Sequence, residues 1–293
     1  MTNLQVRRLG FEFADVPFLW QPANPTFSVK MNALSFAAIG FEKYVVSVVR
    51  EALSYIREPG LTDEANAFLR QEAQHSSSHR RHVQALSRSY PGLADTLDRT
   101  IACYDDLLAE RPLKYHLAHI ANLESMFAPT FKMLLDHEQY LFRPGDERVA
   151  SLFLWHFVEE IEHRSSALLI YRGLVRSAAY RLLVVPSMFQ HVYRVHSVIA
   201  DGFNAHVPFE QRKLDARVIL MGHESLGPDP FSCVPLKQKN IARWNILLSL
   251  MPNHDPRNQP LPRFADRWFE RYARGEDVVR WYSSMDAIAK AKA

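Results

Sequence analysis

The segment RQEAQHSSSHRRH, residues 70 to 82, sets His75, His79 and His82 behind Glu72 in a stretch that otherwise suits an ordinary helix. Glu72 and His75 are three positions apart, so on a helix they share a face, with Cβ atoms about 5 to 6 Å apart, and can close on one cation. Phe68 and Leu86 fall on the same face with His79, whereas Arg70, Ser77, Arg81 and Arg88 turn away from it. The spacing returns in WHFVEEIEHRSSALLIY, where Glu160 and His163 share a face with Phe153, His156, Phe157 and Ala167. Two E-x-x-H pairs alone carry little weight, because each could be a buried pair held by local hydrogen bonds.

Two further carboxylates change that balance. Glu42 in AAIGFEKYVVSVV lies on a face with Ala38, Val45 and Val49, and Glu124 in LAHIANLESMFAPTF lies among Ile120, Ala121, Phe127, Ala128 and Phe131. A carboxylate among such neighbours is costly to bury as an isolated ion and must neutralise or find a partner. Four of them meeting in a low dielectric would repel strongly, and two divalent cations would offset that repulsion. The expected ligands are therefore Glu42, Glu72, His75, Glu124, Glu160 and His163. His79 and His156 lie one turn further along the same faces, as added ligands or as groups that orient the carboxylates. Glu159, four residues before His163, is the alternative to Glu160, although the E-x-x-H register favours Glu160. His82, Glu162 and Arg164 are expected in solvent, and His116, His119, His191, His196 and His206 receive no role in the site.

The elements that must position these side chains read as helices. Glycine is scarce, period-2 alternation is rare, and prolines concentrate at 17–25, 186–235 and 252–262, which favours an all-α fold. Helices are expected at roughly 33–57, 62–88, 92–109, 112–140, 146–181 and 187–204, with shorter ones near 209–222, 236–250, 263–273 and 276–290. EPGLTDE and FRPGDER are turn sequences followed by acidic helix starts, which make antiparallel neighbours. One domain is expected over 1–293, with a metal-binding four-helix bundle at 33–181 and covering helices at 182–293. The stretch 166–203, interrupted by Arg172, Arg176, Arg181 and Arg194, is expected to pack over the bundle. An entrance for a greasy substrate or a surface resting on lipid are its alternatives.

With these strings in view, the chain resembles the ferritin-like di-metal carboxylate proteins. It is most similar to the bacterial family of predicted metal-dependent hydrolases, in which E-A-x-H-x-x-x-H precedes W-H-x-x-E-E-x-E-H. Here those strings are EAQHSSSH, from Glu72 to His79, and WHFVEEIEH, from Trp155 to His163. The resemblance implies a ferritin-like four-helix bundle with a dinuclear metal centre and additional C-terminal helices, with the six residues above as ligands.

Carboxylate and imidazole donors suit iron first, with manganese or zinc as alternatives. The expected reaction is O2-dependent oxidation of a small, largely apolar substrate at a di-iron centre, drawing on an electron donor that the sequence does not identify. Two-metal hydrolysis at the same centre is the enzyme alternative, and iron binding or storage, or a helical interaction protein, the non-enzymatic one. The net charge of +3 is scattered, so nucleic acid is not an expected partner. Cys103 and Cys233 have no C-x-x-C spacing, and no run of about 18 uncharged residues is present, so a cytoplasmic protein without a membrane span is expected, a homodimer being possible.

Overall fold

A computed structural model describes residues 4–222, 228–284 and 286. The fold is all-α, with no strand among the described residues: a ferritin-like helical bundle carrying extra C-terminal helices. Four helices supply the bundle: α1 (Pro25–Leu53), α2 (Pro59–Ser89), α4 (Leu113–Asp136) and α6 (Glu147–Glu162). Helix α3 (Leu93–Glu110) returns the chain from the end of α2 to the start of α4 and packs on α1. Gly40 permits that close approach, since a Cβ there would lie 2.6 Å from the Tyr104 ring of α3.

Helix α1 begins eight residues earlier than the apolar periodicity suggests. Pro25 occupies a first-turn position whose N–H would go unused, and the Asn24 side chain accepts the Phe27 N–H at 3.1 Å. Alone among the described helices, α1 is long and apolar enough to cross a membrane by length and composition. It is a core helix, with 72% of its most apolar window buried, and it carries Glu42.

The stretch expected as one helix over 146–181 is three pieces. Helix α6 stops at Glu162, α7 spans Ser166–Leu174, and α8 (Ala178–His206) follows a kink where Arg176 takes a positive φ of 58°. Apolar periodicity runs through both breaks and so conceals them; the weak helix formers Ser165, Ser166 and Ser177 are the local signal. The first break is held by Ser166 Oγ, which donates to Glu64 of α2 at 2.6 Å. His163 caps α6 through its N–H to Glu159 O. The i, i+3 relation to Glu160 survives because the cap residue still follows the last helical turn. Pro186 lies inside α8 rather than before it.

Helix α4 ends at Asp136, with Pro129 inside it, and a single turn, α5 (Glu138–Leu141), follows. The shorter elements are α9 (Phe209–Arg212), α10 (Ala216–Met221), α11 (Leu236–Ser249) and α12 (Arg263–Ala273). The helix expected near 276–290 falls partly outside the described residues. Residues 4–24 form no regular element, yet Phe11, Phe13, Phe18 and Trp20 are buried. They bring the start of the chain across α2 and α6, with Phe11 against Trp155 and Phe13 against His82.

Candidate metal centre

Helices α1, α2, α4 and α6 bring Glu42, Glu72 with His75, Glu124, and Glu160 with His163 to one buried point. His163 Nε2 lies 3.1 Å from Glu72 Oε1, 3.3 Å from Glu160 Oε2 and 3.6 Å from Glu124 Oε2. His75 Nδ1 lies 3.4 Å from Glu160 Oε1 and 3.9 Å from Glu72 Oε1. His156 joins them, its Nε2 3.0 Å from Glu160 Oε1 and 3.4 Å from Glu42 Oε1. Each of the six side chains keeps at least one buried polar atom without a hydrogen-bond partner, including both carboxylate oxygens of Glu72 and Glu124. Buried polar groups are rarely left so. Glu72, Glu124 and His163 can each offer a ligand atom within 4.8 Å of the others, as can Glu42, Glu72 and His75, and also His75, His156 and Glu160. The donor set and its unmet valences fit two cations.

The local field agrees. Burial, with the neighbouring acids, holds Glu42 and Glu72 well above the usual carboxylate range and pushes Glu124 up to about 7. Burial would raise Glu160 as well, but His163 and the hydrogen bonds it receives outweigh burial and hold it low. Burial opposes a charge on His75, yet the bonds to Glu159 and Glu160 prevail and raise it to about 10. His163 is raised in the same manner, by Glu160 and Glu124. Without metal, the cluster therefore holds protons where cations would otherwise sit.

One side of the centre opens on a cavity of about 370 Å³, lined by Glu42, His156 and Glu160 at its inner end and by Phe41, Phe127, Phe131 and other apolar groups along its walls. Of the clustered side chains, Glu42, Glu124 and Glu160 retain 2–3% exposure, whereas Glu72, His75 and His163 have none.

The family described as predicted metal-dependent hydrolase matches residues 5–218. The chain belongs to that family. No curated protein and no solved structure matches it. The family match spans the N-terminal segment, the bundle, α8 and α9, ends within α10, and stops before α11 and α12. With the buried Glu and His clusters, it makes this a metal-binding enzyme with a site suited to two metals.

Inside the matched segment, a polar web backs the closed side of the centre. His75 Nε2 donates to Glu159 Oε2 at 3.0 Å, which turns Nδ1 toward the centre. His163 Nδ1 donates to Gln71 Oε1 at 3.0 Å and turns Nε2 inward. Both branches end on Arg7, which donates to Glu159 at 2.9 Å and to Glu162 at 2.8 Å, while Gln71 Nε2 donates to Glu162 at 2.7 Å. The Arg7 guanidinium stacks on Trp268, Phe269 and Tyr272 of α12. Such outer bonds fix the tautomer and orientation of a ligating imidazole.

Glu159, expected as the alternative to Glu160, thus faces His75 and Arg7 rather than the carboxylate cluster. Glu162 and His82, expected in solvent, are instead bound: Glu162 by Arg7 and Gln71, and His82, fully buried, by Ser35 Oγ at 2.9 Å. Arg164, expected in solvent too, is half-buried and donates to Pro256 O. His79 links Ser35, 2.9 Å from its Nδ1, to His156, 2.8 Å from its Nε2. His116 and His119, given no role, are buried beside Tyr44. Arg7 and Gln71 escaped the sequence reading: Gln71 neighbours Glu72 but carries no motif, and Arg7 lies in a segment without periodicity.

Proposed function

We propose that the chain hydrolyses an acyl ester or a related bond in a small, largely apolar substrate, using two divalent cations held by Glu42, Glu72, His75, Glu124, Glu160 and His163. The carrying observation is that the apolar cavity ends on Glu42, Glu160 and His156, so a molecule seated in it presents its reactive end to the carboxylate cluster. The family description supports hydrolysis over the oxidation expected from the ligand types. When bound, the cations supply a Lewis-acid pair that ionises water and polarises the acyl oxygen.

The remaining work belongs to this chain's side chains. His156 lines the inner end of the cavity beside Glu42 and Glu160. Burial and neighbouring His75 lower it to about 4, so it is neutral near pH 7, and its Nε2 donates to Glu160 Oε1 at 3.0 Å and orients that carboxylate. His79, itself tied to Ser35, holds the other nitrogen of that ring. Phe41, Phe127 and Phe131 keep the inner cavity dry, which strengthens every electrostatic contact there.

Manganese or zinc suits hydrolysis, and iron suits the second reading, oxidation of an apolar substrate by O2, which the carboxylate-rich donor set and the dry cavity favour. The readings separate in one experiment. Protein loaded with Mn(II), Zn(II) or Fe(II) is given medium-chain acyl esters without O2, and acid release is followed. Release that disappears in Glu160→Ala and falls in His156→Gln is the expected result. O2 uptake by the Fe(II) form, with no anaerobic release for any metal, would overturn hydrolysis in favour of oxidation.

A further inference from the structure

The mouth of the cavity is bordered by two helices that expose apolar side chains in an unusual concentration. Phe189 of α8 and Ile246 of α11 line the cavity itself. Around them α8 exposes Leu183 and Tyr193, and α11 exposes Ile241, Trp244 and Leu247, the last two at 61% and 58%. The two helices meet where Arg181 of α8 donates to the carbonyls of Ser249, Leu250 and Met251 at the end of α11, and they share the cavity through Phe189 and Ile246. Exposed apolar groups scattered singly need no explanation, but a contiguous face around an apolar opening does.

Charge narrows the choice of occupant. Helix α11 carries Lys237, Lys239 and Arg243 and no acid. Arg172 and Arg176 lie beside Pro252, just past its end. Asp229 pairs with Lys239 and Asp255 with Arg257, which leaves Lys237 on α11 and Arg176 beside its end as exposed cations of this face. A second copy related by a two-fold axis would set this basic face against itself and seal the cavity mouth. An anionic bilayer surface meets both demands. It attracts the Lys and Arg side chains, takes Trp and Leu into its interfacial layer, and leaves the mouth facing the apolar phase.

We propose that the α8–α11 face docks on an anionic lipid bilayer and that the substrate is a lipid-like amphiphile entering the cavity directly from it. This substrate class rests on the reading of the cavity as the substrate site; the docking does not. Helix α11 lies beyond the segment matched by the family, whereas α8 lies within it.

The test is co-sedimentation of the full-length, metal-loaded chain with vesicles of phosphatidylcholine containing about 30% phosphatidylglycerol. Wild type is expected to sediment with these vesicles, less with phosphatidylcholine alone, and less as salt rises. Trp244→Glu with Leu247→Glu should weaken binding by about tenfold or more while leaving helicity and metal content unchanged. Tyr55→Glu, at the far end of α1, should bind as wild type. Absence of binding at low salt overturns the proposal. So does a wild-type dimer in the ultracentrifuge that the double substitution converts to monomer, since the face is then a self-interface. Vesicle binding needs no turnover, so failure of the hydrolytic reading leaves the docking result legible. The substrate class is read separately: vesicle-borne acyl amphiphiles should be consumed faster than water-soluble esters, and the reverse order would remove it.

Discussion

The two sides of the metal centre are built from opposite materials. Behind His75 and His163 stands a web of Glu159, Gln71, Glu162 and Arg7, joined by bonds of 2.7–3.0 Å and stacked on the aromatic rings of α12. In front of Glu42 and Glu160 stands an apolar cavity whose phenylalanines offer no hydrogen bond. The histidine side is held in place, and the carboxylate side is open to whatever enters. On the proposed reading, orientation of ligands and access of substrate are thereby given to separate residues, so each can be altered with limited effect on the other.

The largest expected effect would erase the distinction altogether. Glu160 approaches His75, His156 and His163, so Glu160→Ala should remove tight metal binding, taking metal content from about two ions per chain to well below one. Elemental analysis after desalting measures it. Retention of both ions would dissolve the centre as described.

Next comes the closed side. Removing Arg7 leaves Glu159 and Glu162 facing each other without their cation, so Arg7→Met should lower metal affinity by about 10 to 100-fold and cost on the order of 3 kcal/mol of stability. Chelator competition and denaturant unfolding report the two effects, and Arg7→Lys should restore part of the first. Stability lost with unchanged affinity would reduce the web to packing.

Ala38 lines the cavity on the face of α1 that carries Glu42. Ala38→Phe should raise KM by about tenfold with metal content unchanged, which is the converse of the Arg7 result. Equal loss of metal in this variant would show that the two sides are not separable.

Protons sharpen the comparison further. Glu124, pushed up to about 7, must deprotonate before it ligates, so metal affinity should fall as pH drops below that value, and loading should release protons. Calorimetry in buffers of different ionisation enthalpy counts them. The smallest effect lies away from the centre. His119 is buried with neither ring nitrogen bonded, and burial lowers it to about 3. The unfolded chain takes that proton near its ordinary value of about 6.5, so stability present above that pH is lost as pH falls toward the folded value. His119→Leu should therefore recover on the order of 1 kcal/mol relative to wild type at about pH 5, measured by urea unfolding at both pH values.

Which side chains meet in the buried cluster was readable because helical spacing is local. Glu72 with His75, and Glu160 with His163, declare their shared faces within one turn, and the apolar neighbours of Glu42 and Glu124 declare that those faces are buried. The breaks at His163–Ser165 and near Arg176 were not readable, because apolar periodicity runs through them and the contacts that hold them come from elsewhere, as with Ser166 and Glu64. His82 and Glu162 were misplaced for a related reason. Their angular position on a helix is away from the centre, yet that position becomes interior once Ser35, or Arg7 from the start of the chain, lies over it.

By itself, then, the order of residues determined which acids and imidazoles share a face, that the chain is helical, and that those faces carry donors suited to cations. Only the tertiary structure decided that Glu159 serves His75 instead of the cluster, that Arg7 closes the web across 152 positions, and that His156 borders a cavity. The physical reason is range. A helix fixes the relative direction of side chains within a turn or two, whereas burial, pairing and the shape of a void depend on what packs against that helix, which its own spacing does not encode.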